Sequence, residues 1–385
     1  MYKIATLNKI SPVGLNKFTA DYEVVSDVMV SDGALVRSMD MHEMELPASF
    51  LAVARAGAGV NNIPLDKMAD NGIVAFNTPG ANANAVKELV IGSMLGAFRN
   101  IAAGIAWAST LTEDIAKATE KGKGQFAGHE IKGKTLGVVG LGAIGAMVAN
   151  AALDLGMNVV GSDPYLSVKA ALSLKPGVQV LESMEQVVAA ADVITIHVPA
   201  MPSTNGMFNA DVLAKVKPGA IVLNFSRDKL VDEVAMLKAL EEGRIAKYVS
   251  DFPNDVVLGK PGVICTPHLG ASTEESEENC AAMAATEIMD YLENGNIVNS
   301  VNFPMVNLGA LTAGTRVLVL GKGVEDLAAK FTAAVAELKV GVVNQKSGAR
   351  GAVSAVLADV TGAVDAEALK AALGEGVVRV RVLSK

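Results

Sequence analysis

The sequence is poor in cysteine, histidine and aromatic residues, and each scarcity excludes something. Its two cysteines, Cys265 and Cys280, form neither a disulfide framework nor a zinc-type spacing; Cys265, near a candidate catalytic histidine, reads as a buried inert thiol, and a reducing compartment fits both. With only four histidines and no His/Cys cluster, no metal site is expected. The 33 Lys and Arg residues are outnumbered by 41 Asp and Glu, for a net charge of −8, and no basic block of five or more residues occurs. That balance argues against nucleic acid or an anionic membrane as the main partner. No apolar run is long enough to cross a membrane, because Lys87, Glu88 and Arg99 interrupt the best candidate. The opening stretch MYKIATLNKI has no apolar signal core, so a cytoplasmic location is expected.

What the chain does have is apolar bulk, 51% of 385 residues, enough for two or three cores. It is organised around Leu136–Asp163, LGVVGLGAIGAMVANAALDLGMNVVGSD. A short apolar strand runs into Gly140, Gly142 and Gly145 in G-x-G-x-x-G spacing, then a helix, then a second strand. The first glycine allows a tight turn, the second lets the backbone approach a pyrophosphate, and the third brings helix and strand close. The helix N-terminus offers its unpaired N–H groups to the anion. Asp163, 18 residues beyond Gly145, is placed to hydrogen-bond a ribose 2′-hydroxyl and to repel a 2′-phosphate. NAD is therefore expected in preference to NADP. The other reading of Asp163 is a solvated strand-end acid.

Around this stretch the pattern alternates strands and helices, as in an α/β fold with parallel sheets. Strands are predicted at Tyr2–Leu7, Tyr22–Val25, Gly33–Val36, Phe50–Arg55 and Val74–Phe76. Residues 84–105 read as one long apolar helix and 105–119 as a second. A doubly wound sheet of six or seven strands follows, with strand ends at His197, Phe225–Arg227, Asp251 and His268 facing one crevice. Ser272-Thr-Glu-Glu275 is a capping box that opens a helix of about twenty residues, and its acids complement the helix dipole. After a linker at 301–314, residues 315–385 follow a β-α-β-β-α-β pattern, the ferredoxin-like arrangement.

Oxidation of a secondary alcohol by hydride transfer needs a base, a cation for substrate charge and an acid that tunes the base. Arg227, Asp251, Asp255 and His268 all fall near strand ends, and His268 is the predicted base; the alternative is a structural histidine. Arg37 and Arg55 also follow strands, where they suit a carboxylate or phosphate, or else a surface ion pair.

Seven stretches in fixed order carry a resemblance: RAGAGVNNIPL (55–65), NTPGANANAVKEL (77–89), GKTLGVVGLGAIG (133–145), HVPAMPST (197–204), NFSRDKLVDE (224–233), SDFPND (250–255) and TPHLGAST (266–273). The sequence resembles the D-2-hydroxyacid dehydrogenases, and within them the bacterial phosphoglycerate branch with a C-terminal ACT domain. The resemblance implies two Rossmann-like doubly wound domains. One is a flavodoxin-like substrate domain (1–99 and 279–300) and the other an NAD-binding domain (100–278); a ferredoxin-like ACT domain (315–385) follows. It implies that Arg227 binds the substrate carboxylate, that His268 exchanges the C2 hydroxyl proton, and that Arg55 engages the phosphate or carboxylate. Asn77, Thr78 and Asn82 would line the substrate crevice. Ala143 and Ile144 would meet the pyrophosphate. His197, Val198, Pro199 and Thr204 would surround the adenine half. Phe225, Ser226, Arg227 and Gly270 would approach the nicotinamide end, and Asp251 would hold the carboxamide. A homodimer or homotetramer is implied, with a phosphorylated 2-hydroxy acid as the small-molecule substrate.

Three departures stand out. The glutamate expected to raise the pKa of the base is absent, and Asp255, in a stretch one residue shorter, is its nearest match, with Asp251 the other candidate. The loop after the arginine reads Ser226-Arg227-Asp228-Lys229 in place of Ala-Arg-Gly-Gly. The side chains that hold an amino-acid effector in ACT domains are replaced by Gly321–Asp326 and Gly341. The expected activity is NAD-dependent oxidation of 3-phosphoglycerate. Its alternatives are reduction of glyoxylate, hydroxypyruvate or another 2-keto acid, and a non-catalytic NAD(H) sensor.

Overall fold

The computed structural model describes residues Met1–Lys385. Strands β1 (Tyr2–Thr6), β2 (Tyr22–Val25), β3 (Gly33–Val36), β4 (Ala52–Arg55) and β5 (Val74–Phe76) form a parallel sheet ordered β2-β1-β3-β4-β5. This is the 2-1-3-4-5 order of flavodoxin-like sheets. Both faces are apolar because both are covered. Ile4, Leu35, Ala52 and Ala54 pack with Ala281, Ala285 and Ile288 of the helix Glu274–Asn294. The alternate residues Ala5, Ala34, Val36 and Val53 pack on the other side with Met68 of the helix Leu65–Asp70.

The second sheet has seven parallel strands: β6 (Thr135–Val139), β7 (Asn158–Ser162), β8 (Val178–Val180), β9 (Val193–Ile196), β10 (Ala220–Asn224), β11 (Ile245–Ser250) and β12 (Val263–Cys265). Their order is β12-β11-β10-β9-β6-β7-β8. Chain direction across the sheet therefore reverses between β6 and β9, the switch point at which doubly wound sheets gather ligands.

The third sheet is antiparallel: β13 (Thr315–Lys322), β14 (Val342–Arg350), β15 (Val353–Val360) and β16 (Val377–Ser384), ordered β14-β15-β13-β16. One face, Val317, Val319, Val356 and Ala358, buries Phe331 and Leu369 from the two covering helices. The other face, Leu318, Leu320, Ala355 and Leu357, joins the cluster of Tyr291, Ile297 and Phe303. The buried Arg316 guanidinium pairs with Asp359 at 2.6 Å and donates to the carbonyls of Asn294 and Gly309, tying the linker to this sheet.

The chain divides into two compact units, Met1–Asn82 with Glu274–Lys385, and Ala83–Thr273. The first crossing thus falls at 82/83, where the sequence suggested 99/100. The reason is packing: Val86, Val90, Met94 and Phe98 of the helix Ala83–Phe98 are buried with Leu136, Val138 and Val148 of the second sheet's unit. The single helix expected over 84–105 is two, Ala83–Phe98 and Ile101–Ala108, bent by 66° where Asn100 takes left-handed geometry (φ 54°). The helix expected over 105–119 is instead Ile115–Gly122. No single helix is long and apolar enough to cross a membrane.

Glu287 is a buried acid on the helix Glu274–Asn294. It is 9% exposed, with Oε1 accepting from Asn299 Nδ2 at 2.7 Å and Oε2 without a partner. Burial pushes its carboxyl up from the ordinary 4.5 to about 8. A carboxyl raised on folding stabilises the fold below its unfolded pKa and loses that contribution as pH rises through the folded one. Glu287→Gln is therefore expected to gain stability relative to the parent as pH climbs from about 5 to about 8. Urea-unfolding midpoints across that range check this; a constant difference between the two proteins would refute it.

Candidate active site

The nucleotide turn follows directly from its three glycines. A Cβ on Gly140 (φ 92°) would meet the His197 carbonyl oxygen at 2.5 Å, and one on Gly145 would meet the Gly140 carbonyl oxygen at 1.9 Å. Only hydrogen fits at either position. Gly142 is the opposite case, with nothing within 4 Å of its missing Cβ. It leaves open space in front of Ala143 and Ile144, the first residues of the helix Ala143–Asp154, whose N-terminus has no side-chain cap. An anion has room and uncapped N–H groups there. Asp163, just past β7, accepts from Leu141 N at 3.0 Å through Oδ2 and from Tyr165 N at 2.8 Å through Oδ1. The acid is thus tied to the glycine turn, beside any ribose that follows a bound pyrophosphate. These residues fit a dinucleotide.

His197 follows β9 at the switch point. Thr195 Oγ1 lies 2.9 Å from Nε2, Nδ1 is buried without a partner, and burial depresses the imidazole to about 3. The ring is neutral at neutral pH, and it is the His197 backbone carbonyl that packs against Gly140 in the turn. Ser226 Oγ donates to the Val198 carbonyl at 2.5 Å, and Thr204 Oγ1 donates to the Pro199 carbonyl at 2.7 Å. Both expected contact residues therefore hold the loop after β9 in place. Phe225 is 5% exposed, a core side chain beneath Ser226.

Arg227 follows β10 and is exposed, its Nη1 donating to the Ser226 carbonyl at 2.6 Å. The loop is shaped by Asn224, which the sequence reading left without a role. It is fully buried, accepts from Ser226 N at 3.2 Å and donates to the Arg227 carbonyl at 2.8 Å. Its signal was present: a buried-type strand, AIVLN, ending in an amide just before Ser-Arg.

Asp251 is the hub of the other loop. At 1% exposure, its Oδ1 accepts from Thr266 Oγ1 (2.6 Å) and Leu269 N (2.8 Å), and its Oδ2 from Gly270 N (2.8 Å). His268 stands inside this clamp with φ 56°, its N–H donating to the Asp251 carbonyl at 3.0 Å. Left-handed geometry costs a non-glycine residue about 1–2 kcal/mol, offset here by the bonds on either side. The imidazole is exposed and meets Phe252 edge-on at 4.9 Å between ring centroids. Asp255 is exposed and makes no hydrogen bond or ion pair with His268. Asp255 stands one residue short of the expected acid position, and its neighbour Asn254 donates to Glu233 at 2.9 Å. Asp251 is equally not the imidazole's partner, since its oxygens serve the loop.

In the other unit, Arg55 ends β4 and its Nε donates to the Arg37 carbonyl at 2.9 Å. A Cβ on Gly59 would approach Arg55 Nη1 to 2.5 Å, so that glycine makes room for the guanidinium. Thr78 Oγ1 accepts from Gly57 N at 2.9 Å and Asn77 Nδ2 donates to the Ala58 carbonyl at 2.6 Å, which locks the two loops together. Asn82 is half-buried at the unit's edge. Arg37 forms an ion pair with Glu277 at 2.6 Å. No group of three or more His, Cys, Asp or Glu side chains is arranged to hold a metal.

The family described as D-isomer specific 2-hydroxyacid dehydrogenase, NAD binding domain, matches residues 91–270. A D-3-phosphoglycerate dehydrogenase of Mycobacterium bovis is 34% identical over 372 residues, 91% of this chain and 68% of the relative. The chain belongs to the D-isomer specific 2-hydroxyacid dehydrogenases. The D-3-phosphoglycerate dehydrogenase of Methanocaldococcus jannaschii is 35% identical over 320 residues, 80% of this chain and 59% of the relative. The chain thus spans about three fifths of that relative's length. An NAD⁺-bound 3-phosphoglycerate dehydrogenase of Entamoeba histolytica superposes with TM-score 0.61 at 26% identity, covering 79% of this chain and 99% of that one. The Rhodotorula graminis D-mandelate dehydrogenase, at TM-score 0.68 and 21% identity, covers 80% of this chain and 99% of its own and shares the fold.

The glycine geometry separates two substitutions in this chain. Gly145→Ala, with no space for its Cβ, is expected to lower stability by about 1–3 kcal/mol. Gly142→Ala is expected to leave stability within about 0.5 kcal/mol and to weaken NADH binding about tenfold or more by filling the pyrophosphate approach. Thermal unfolding and calorimetric NADH titration check both.

Proposed function

We propose that the protein is an NAD-dependent dehydrogenase that interconverts 3-phospho-D-glycerate and 3-phosphohydroxypyruvate. The observation that carries the chemistry is the common carboxyl edge of one sheet, which bears both the glycine turn with Asp163 and the loops of Arg227 and His268. The curated relatives named for phosphoglycerate, 34–35% identical, support the choice of substrate. Asp163 favours NAD, because its carboxylate bonds a ribose 2′-hydroxyl and repels a 2′-phosphate.

When bound, NAD supplies the acceptor for the hydride leaving C2. His268 takes the C2 hydroxyl proton as general base and returns it in the reverse direction. Arg227 binds the carboxylate and polarises the C2 oxygen. Arg55 is assigned the substrate phosphate, with Asn77 and Thr78 holding its loop. His197 stays neutral and uncharged beside the nucleotide turn. The C-terminal β-α-β-β-α-β unit is read as a structural or oligomerising ACT domain of a cytoplasmic homodimeric or homotetrameric enzyme. Gly321–Asp326 and Gly341 lack effector-holding side chains, so calorimetry with L-serine is expected to show no binding.

The test is NADH oxidation with 3-phosphohydroxypyruvate beside hydroxypyruvate, glyoxylate and pyruvate. Preference for the phosphorylated acid, lost in Arg55→Ala with an increase of about tenfold or more in KM, is the expected outcome. His268→Asn is expected to lose at least about a hundredfold in kcat while still binding NADH. Turnover of the unphosphorylated acids alone would make the protein a general 2-keto-acid reductase. Retained NADH binding without turnover on any of them would make it a sensor.

A further inference from the structure

A histidine that exchanges a proton during hydride transfer works best with a carboxylate against its ring. The carboxylate fixes the orientation of the imidazole and stabilises the imidazolium that forms. Neither acid singled out in the sequence fills that place: Asp255 makes no bond to His268 and does not line the cavity that His268 faces, and Asp251 is consumed by Thr266, Leu269 and Gly270. His268 opens onto a cavity of about 360 Å³, and Asp228 stands on its wall together with Phe252 and Pro267. Asp228 opens the 3₁₀ turn Asp228–Leu230, directly after Arg227. It is exposed, and its carboxylate makes no hydrogen bond and no ion pair, even with the adjacent Arg227 and Lys229. The charged groups on that cavity are Asp228 from the turn after β10 and Asp251 from the end of β11; no cation lines it.

We propose that Asp228 is the positioning acid of His268, presented from the arginine loop across this cavity. The assignment rests on the dehydrogenase reading above, since it gives His268 its role as base. It joins two departures of the sequence. The loop after β11 carries no acid free to serve the imidazole on the cavity wall, since Asp251 is taken up by its own loop and Asp255 does not line the cavity, and the loop after β10 carries an acid that serves nothing else. One short loop then supplies both the substrate cation, Arg227, and the partner of the base. The cavity carries polar groups at Asp228, Asn254 and His268 and is large enough for the carboxylate to engage the imidazole directly or through one water.

The experiment is an NMR titration of the His268 ring in the full chain without substrate, with the resonance assigned by its loss in His268→Asn. A carboxylate beside an imidazole raises its pKa. Asp228→Asn is expected to move the His268 midpoint down by about 0.5–1 pH unit, and Asp228→Glu to restore most of the shift. Asp255→Asn is expected to leave the midpoint at the parent value. The acid limb of kcat/KM for 3-phosphoglycerate oxidation should move by the same amount in Asp228→Asn, a displacement that a merely structural loop residue does not produce. An unmoved midpoint in Asp228→Asn, or an equal shift in Asp255→Asn, would overturn the proposal. The titration needs no turnover. Absence of activity on every substrate would therefore defeat the dehydrogenase reading while the coupling of Asp228 to His268 is still read.

Discussion

One buried carboxylate holds the reacting edge of this protein together. Asp251 sits at the end of β11 with both oxygens satisfied by Thr266, Leu269 and Gly270. A buried carboxylate is costly unless every lone pair has a donor, and here the donors belong to the loop that displays His268. The same bonds keep His268 at a positive φ that an unsupported residue would leave. The loop is rigid because the acid must be satisfied. The His268 ring is exposed while the Asp251 carboxylate that anchors its loop is buried.

The second sheet places this loop opposite the nucleotide turn by topology. Parallel strands point their carboxyl ends the same way, and the switch between β6 and β9 opens a gap between the loops on that edge. Gly140 and Gly145 close the turn against the His197 carbonyl and the helix, while Gly142 keeps the approach open. Asn224 gives the arginine loop after β10 the same kind of support that Asp251 gives the histidine loop. Both are buried polar groups at strand ends that bond backbone atoms of the loop they shape, Asn224 reaching the Tyr248 hydroxyl as well and Asp251 the Thr266 hydroxyl. Such groups pin a conformation because any other leaves them unsatisfied.

The unit formed by Met1–Asn82 and Glu274–Lys385 follows a different logic. Its parallel sheet is covered on one face by the long helix Glu274–Asn294, which returns to it after the whole nucleotide-binding unit has been inserted. The antiparallel C-terminal sheet adds its outer face to the same cluster through Leu318, Leu320 and Leu357. Arg316 then satisfies carbonyls of the connecting segment at Asn294 and Gly309. Glu287, in contrast, is left with one unpartnered oxygen. Its raised pKa follows from burial without a cation.

Sequence alone determined the local features: which runs are strands, where the glycines stand, and that Arg227 and His268 follow strand ends. These depend on side-chain period, turn chemistry and spacing along the chain, and all three can be read without a partner. The break at Asn100 was missed because apolar content continues across it, and only the change of packing partner shows the bend. The transfer of the helix Ala83–Phe98 to the nucleotide-binding unit was missed for the same reason: an apolar face does not name the core it enters. The cavity that His268 faces is walled by Asp228, more than twenty residues upstream of both Asp251 and Asp255. Tertiary structure alone decided this, because a carboxylate acts through space, and two loops from neighbouring strands of one parallel sheet meet at its carboxyl edge whatever their separation in sequence.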